Sequence, residues 1–476
     1  MKTRLFCLSV LLASLGLMLA DRAPAQSLTV LHQFGGVPAN DGSQPIWMHL
    51  IQATDGNFYG TTEYGGTSNV GSVFKITSAG SLTVLYSFKG GAVNDGEFPE
   101  AVLVQGSDGN FYGTTYEGGT NYYGTVFKMT PAGVLTNLHI FQGPATHDGR
   151  WPFSPLIQGT NGLFYGTTSA GGTPGYGTVF QMDSAGNLTV IHSFTNGPDG
   201  STPYAGVFQG SDGYFYGTTQ SGGSNGVGIA YKVSSGGAFT PLHQFGATST
   251  DGQNPIGGIV QGYTGDYFGT TYGGGSNGYG TVFRITSTGV LTNLYHFGGP
   301  ANDGLNPKAG LLQGSDSYLY GITFLGGTNG AGALFKIGPT GGLIYVHAFG
   351  AFIGDGVYPE NALVEGYDGN YYGTTYQGGT NGLGVVYKLA YPPPQNANKL
   401  NITDSGNAGG TNHFVLSLAS VAGENYQLEF ADALPATVWS NVPGGVVSNA
   451  IGGPLSFSNF VSVTAPQRFY RLQITP

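Results

Sequence analysis

Cysteine is nearly missing: the chain of 476 residues has one, Cys7. No disulfide can form within one chain, and no cysteine-based metal or nucleophile site can be built. Charge is scarce as well, with Asp, Glu, Lys and Arg at 8% against about 25% in ordinary domains. The few cations form no cluster and the net charge is −10. Nucleic acid and anionic membrane surfaces are therefore poor candidates as partners, and no nucleic-acid partner is expected. Helix-forming patterns are almost absent. No segment beyond the first 25 residues is apolar enough to span a bilayer. There is no nucleophile elbow, HExxH pair, phosphate loop or Cys/His cluster.

The apolar run that does exist lies at the N-terminus. Lys2 and Arg4 precede Leu5 to Ala20, and Ala23-Pro24-Ala25 fits a cleavage site before Gln26. Residues 1–25 read as a secretory signal peptide, and the protein as secreted: extracellular, cell-surface or periplasmic. Cys7 is too early, and too deep in that run, for a lipoprotein cysteine. The mature chain then has no thiol, and its stability must come from burial and closure.

Glycine is abundant, at 86 residues, and the aromatic and β-branched residues suit strands. One phrase recurs seven times: FYGTT (58–62, 111–115, 164–168, 215–219), YFGTT (267–271), LYGIT (319–323) and YYGTT (371–375). The period of about 52 residues is that of propeller-type repeats. A third-strand phrase such as GTVFKMT (124–130) and a fourth-strand phrase such as LTNLHIF (135–141) also occur seven times each. The first fourth-strand phrase, LTVLHQF (28–34), precedes any complete unit, and the last unit, ending in GVVYKLA (384–390), lacks one. A ring in which 28–34 completes the last blade explains that offset and removes the free sheet edge. The fold predicted is all-β: a seven-bladed β-propeller over 26–390, closed by an N-terminal outer strand. A stiff linker follows at 391–398. Residues 399–476 form short alternating segments that predict a small β-sandwich, with Trp439 as its core anchor.

The pattern DGNFYGTT…GG…GTVFKIT…LT.L..F resembles the Gloeo/Verruco (GloVer) tandem repeat of exported bacterial proteins, the choice-of-anchor family. The resemblance covers residues 28–390 and whole phrases match. It implies an exported repeat protein and brings no assigned enzymatic activity with it. GENYQLEFAD and PQRFYRLQI resemble modules that end other secreted proteins of verrucomicrobial type. The sandwich stands where some relatives would have a sorting helix.

In a propeller the loops from fourth to first strand and from second to third share a face. Both sets here carry motifs. The first holds one Asp-Gly-x-x-Pro per repeat, with Asp41, Asp95, Asp148, Asp199, Asp251, Asp303 and Asp355. These carboxylates are candidates to ring the central opening and hold calcium or sugar hydroxyls. The plainer reading is that each makes an Asx turn before a proline that starts the next strand. No cofactor is implied, and no specific motif calls for calcium. The Asp-Gly pairs at Asp55, Asp108, Asp212 and Asp368 read as hairpin turns. A histidine recurs in the fourth strand (His32, His139, His192, His243 and His347), with Tyr86 and Tyr295 at the same place. Tyrosine in that position argues against metal ligation and for half-buried, hydrogen-bonded rings on the rim. The third-strand cations, from Lys75 to Lys388, read as snorkelling stems packed between blades.

Residues that break the repeat carry more information. Trp47 and Trp151 lie in or after the Asp-Gly-x-x-Pro loops. Tyr122 and Tyr123 lie in a Gly-Gly loop, and Tyr116, Tyr272 and Tyr376 follow the second strand. Flat rings beside carboxylates make a carbohydrate platform; the alternative is rings that pack loop on loop. The irregular acids are Glu63, Glu97, Glu100, Glu117, Glu360 and Glu365, with His147 and Arg150 nearby in sequence. The leading reading is a non-catalytic, monomeric binding or scaffold propeller for extracellular polysaccharide. Two others stand beside it: a polysaccharide lyase or glycosidase using the irregular acids, and an adhesive surface protein that binds another protein.

Overall fold

The structure, a computed structural model, describes residues 27–36, 40–45, 50–143 and 147–390, and the strands within 401–475. The segment read as a signal peptide, the segment read as a linker, Trp47 and Trp439 lie outside the described residues. The chain is all-β, with seven four-stranded antiparallel sheets in series. Blade 1 runs Ile51–Gln52, Phe58–Thr62, Ser72–Ile76 and Leu82–Ser87, from inside to outside. Blades 2 to 6 repeat that order. Blade 7 has Val364–Glu365, Tyr371–Thr375 and Val385–Ala390, with Ser27–Gln33 on its outer edge in the register Leu28↔Leu389 and His32↔Val386. Beyond the propeller, two three-stranded antiparallel sheets form from Asn401–Ala408, Thr411–Ser420 and Gly453–Ser462, and from Ser440–Val447, Asn425–Ala431 and Phe469–Thr475.

Each blade is built around the glycine of its second strand. A Cβ on Gly113 would lie 2.5 Å from Phe127 Cζ, so the residue must be glycine for the third-strand ring to lie flat across the sheet. That ring takes the edge of an outer-strand phenylalanine from the previous blade, as in Phe88–Phe127 at 5.5 Å and Phe34–Phe74 at 5.5 Å. The second-strand aromatics face each other across blades: Tyr59–Phe111 at 4.2 Å, Tyr112–Phe164 at 4.0 Å and Tyr165–Phe215 at 3.9 Å. Phe58–Tyr372 at 4.0 Å joins blade 7 to blade 1 in the same way. Such ring pairs add about 0.5–1.5 kcal/mol each beyond burial.

The innermost strands are shorter than the apolar phrase AVLVQG suggests: only Val104–Gln105 pairs in blade 2. The blades converge there and leave little room. A Cβ on Gly257 would lie 2.5 Å from the Ala309 carbonyl oxygen. The glutamine ending most inner strands grips the preceding hairpin, as Gln105 Oε1 does by accepting from Thr54 N–H at 2.9 Å. At the hairpin tips, Asp108 accepts from Asn110 N–H and from Tyr112 O–H, and Lys128 Nζ approaches it at 2.7 Å. The third-strand cations thus do more than bury their stems: Lys128, Arg284 and Lys388 end on hairpin aspartates.

Two blades carry a tyrosine where the other five carry the third-strand phenylalanine. The hydroxyls of Tyr231 and Tyr387 are buried with no hydrogen-bond partner. An orphaned buried polar group costs about 1–3 kcal/mol. Tyr231→Phe and Tyr387→Phe are each expected to stabilise the protein by about 1 kcal/mol, read as a higher urea midpoint at unchanged slope. A lower midpoint would contradict this account of the core.

Candidate functional site at the axial mouth

The seven Asp-Gly-x-x-Pro loops are held rigidly, and the aspartates do the holding. Asp41, Asp148, Asp251 and Asp355 accept from the imidazoles of His32, His139, His243 and His347 at 2.9–3.2 Å. Asp95 and Asp303 accept from Tyr86 and Tyr295 at 2.9 and 3.0 Å. Their remaining oxygen capacity goes to backbone N–H groups, such as Lys89 and Gly96 on Asp95. Asp199 binds Thr195, while His192 Nε2 stands 3.3 Å away without hydrogen-bond geometry. His192 instead stacks on Phe239 at 3.9 Å, and burial pushes its imidazole down. The structure therefore does not bring the seven aspartates together around the opening. Each is turned outward onto its own outer strand, because a carboxylate beside a half-buried N–H or O–H donor is better satisfied there. Among the described residues no group of three His, Cys, Asp or Glu side chains is placed to hold a metal.

The recurring histidine or tyrosine and the recurring aspartate are thus one device. The spacing of seven to nine residues in every repeat, with two donor types interchanging, was the signal for it.

The residue before each loop proline adopts a left-handed backbone: Gln44, Phe98, Trp151, Thr202, Asn254, Asn306 and Tyr358 have φ of 52–58°. For a non-glycine residue this costs on the order of 1–2 kcal/mol. Two backbone hydrogen bonds offset it. Phe98 N–H donates to Val70 of the preceding blade, and its carbonyl accepts from Tyr116 N–H of its own. Every loop on this face is tied both backward and forward in this way.

Two positions per blade escape these demands: the residue after the loop proline and the residue after the second strand. In the first set stand Glu100, Phe153, Tyr204, Ile256, Lys308 and Glu360; in the second, Glu63, Tyr116, Ser169, Gln220, Tyr272, Phe324 and Tyr376. The inner segments of blades 3 to 7 line a central cavity of about 260 Å³ that includes Phe153, Tyr204, Lys308, Glu360 and Asn361. Beside Glu360 of this lining the structure brings two further buried acids, Glu63 and Glu100; the three have 5%, 8% and 7% of their surface exposed. Burial, with Glu63, Glu117 and Glu360 nearby, pushes Glu100 up to about 9. Burial and Glu360 push Glu63 up to about 7, against a hydrogen bond from Tyr64. Burial also raises Glu360, although Lys308 Nζ pairs with it at 2.7 Å. Carboxyls crowded out of water keep their protons, since each new charge meets both desolvation and its neighbours.

Beside the acids lies an aromatic ledge. Tyr116 stacks on Trp151 at 6.1 Å and meets the edge of Phe153 at 5.7 Å; Phe153 meets Tyr204 at 4.9 Å. The Arg150 guanidinium lies over Trp151, with Cζ 4.3 Å from the ring centre. Glu100 acts on both Tyr116 and Tyr204, so ledge and acids form one surface. Of the residues singled out from sequence, Tyr116, Trp151, Glu63, Glu100 and Glu360 meet here. Tyr123 packs under the loop against Gly143, and Tyr122 is half exposed beside Gly91. Tyr272 and Tyr376 occupy the ledge position in blades 5 and 7, with Tyr376 O–H taking a hydrogen bond from Gln44. Glu97 turns to Gly91 N–H, and Glu365 replaces the hairpin-gripping glutamine on the opposite face. Phe153, Tyr204, Lys308 and Asn361 were missed. Reading each residue after the loop proline in register would have found the first three.

The Gloeobacter/Verrucomicrobia repeat matches residues 21–209, 175–387 and 299–423. No curated protein matches the sequence. Among solved structures, puromycin hydrolase is similar with a TM-score of 0.42 at 10% identity, over 84% of this chain and 62% of that one. The chain thus spans less than two thirds of that protein. The BP39L lectin from Burkholderia pseudomallei gives 0.35 at 12%, over 64% and 99%. The endo-arabinase from Bacteroides thetaiotaomicron VPI-5482 gives 0.30 at 13%, over 57% and 99%. Likenesses this distant carry no functional argument.

The raised acids set a sign for stability. Glu63 and Glu100 bind more protons folded than unfolded between their ordinary value near 4.5 and about 7 and 9. Their contribution is full below the ordinary value and is lost as pH rises through the folded values. Unfolding midpoints are expected to fall from about pH 5.5 to about pH 8.5, and Glu100→Gln to flatten that slope. An unchanged slope in the variant would contradict the burial of this carboxyl. Separately, Asp355→Ala is expected to cost about 1–3 kcal/mol, while chelator leaves the wild-type melting curve unchanged. A chelator-sensitive curve would restore a metal to the aspartates.

Proposed function

This chain belongs to the Gloeobacter/Verrucomicrobia repeat family, and we propose that it is an exported propeller that binds extracellular glycan at the axial mouth. The observation that carries the reading is the ledge of Tyr116, Trp151, Phe153 and Tyr204 beside buried carboxyls. Apolar sugar faces stack on such rings, while a few placed polar groups fix the hydroxyls. A cavity of about 260 Å³ lies below the usual range of about 300–1,000 Å³ for small-molecule pockets. It suits one sugar unit at a chain end or branch, with the rest of the chain lying across the ledge. The tied loops make the surface rigid before binding, which lowers the entropy cost of association. In the same proposal, Ser27–Gln33 closes the ring against its exposed sheet edge, and the C-terminal sheets form a sandwich for attachment or display.

A second reading has its own support. Glu100 keeps a proton near neutrality beside Glu63, as an acid–base pair in a glycosidase or lyase would. The two readings part on products: new reducing ends or unsaturated sugars appear only if the site is catalytic.

Binding to a polysaccharide panel tests the proposal. Saturable binding is expected, weakened about tenfold or more by Trp151→Ala or Tyr116→Ala, with no fragments released. No binding to any glycan would turn the account toward a protein partner.

A further inference from the structure

One acid at the mouth and one amide beside it each keep a buried oxygen with no donor. Glu63 Oε2 is buried and accepts nothing. Asn361, with 2% of its surface exposed, lines the cavity together with Glu360 and Lys308. Its Nδ2 is satisfied by the Pro45 carbonyl and Thr374, but its Oδ1 accepts nothing. Two orphaned acceptors at one opening call for a ligand that donates. The protein already shows which donor suits the place. Lys308 Nζ sits 2.7 Å from Glu360 and 3.5 Å from the centre of the Phe324 ring, an ammonium held between a carboxylate and an aromatic face. Near Glu63 and Glu100 stand tyrosines instead: the Tyr64 hydroxyl hydrogen-bonds Glu63, and Tyr116 lies close enough to feel the Glu100 charge. No lysine reaches either of them among the described residues.

We propose that the mouth binds a primary ammonium group at Glu63 and Glu100, so that the glycan it takes carries free amino sugars. The inference rests on the glycan reading above and narrows it. An ammonium supplies several N–H donors and a positive charge to carboxyls that otherwise repel one another. A uronate or sulfated chain would add negative charge to the same crowded place and is disfavoured. A divalent cation needs more converging oxygens than these residues supply.

The test titrates the full chain by calorimetry with glucosamine oligomers, their N-acetylated counterparts and cello-oligomers of equal length. The free-amine oligomers are expected to bind about tenfold more tightly or better. Glu63→Gln and Glu100→Gln are each expected to reduce that preference to within about threefold. Glu365→Gln, on the opposite face, is expected to keep the full preference, which separates a site from attraction to a net negative protein. Equal binding of all three oligomers would overturn the amine inference and leave the glycan reading standing. Failure of all three to bind would also overturn the amine inference, while the glycan reading falls only if the whole polysaccharide panel fails to bind.

Discussion

A glycine beneath an aromatic ring, seven times over, is the contact on which this molecule depends. Gly60, Gly113 and their equivalents leave the space into which a third-strand ring lies, and that ring receives the previous blade's outer phenylalanine. The second-strand aromatics then meet across each seam, except where Leu319 replaces a ring after Phe268. With so little charge and no disulfides in the propeller, stability comes from this repeated apolar fit and from backbone hydrogen bonds. Because one blade's rings are the next blade's wall, every repeat must keep the same shape, and its sequence is constrained at almost every position.

That constraint is what makes the site visible. The loop aspartates, the left-handed residue before each proline and the paired glycines all answer to the blade. The two positions that do not both open onto the axial mouth. There the chain varies freely, and it places three carboxyls, a lysine and six rings. Burying acids at mutual expense is costly, and a ring protein gains no stability from it. The cost is physically intelligible if the mouth receives something. The rigid, doubly tied loops around it keep the acids from relaxing into water.

Much of the fold was legible because it is written seven times: the repeat count, the strand phrases and the all-β class need no long-range information. Asp55 and Asp108 also read correctly as hairpin residues, since a turn is local. The loop aspartates were harder. Asp95 and Tyr86 lie nine residues apart and looked like two separate series, and only the folded outer strand shows them to be partners. The acidic mouth was harder still. Glu63, Glu100 and Glu360 are irregular in sequence; the ring closure that brings blade 7 beside blades 1 and 2 was legible, but that these three side chains turn toward one another was not. Tyr122 and Tyr123 show the converse: loop aromatics that read as site candidates and yet stand apart from the ledge.

The most direct test of the central claim, that the axial mouth is the binding site, is an experimental structure with a bound oligosaccharide. The account predicts a sugar ring on Tyr116 and Trp151, with its polar groups toward Glu63 and Glu100. A sugar seated on the hairpin face, near Asp108 or Asp368, or on the outer rim of the blades, would contradict it.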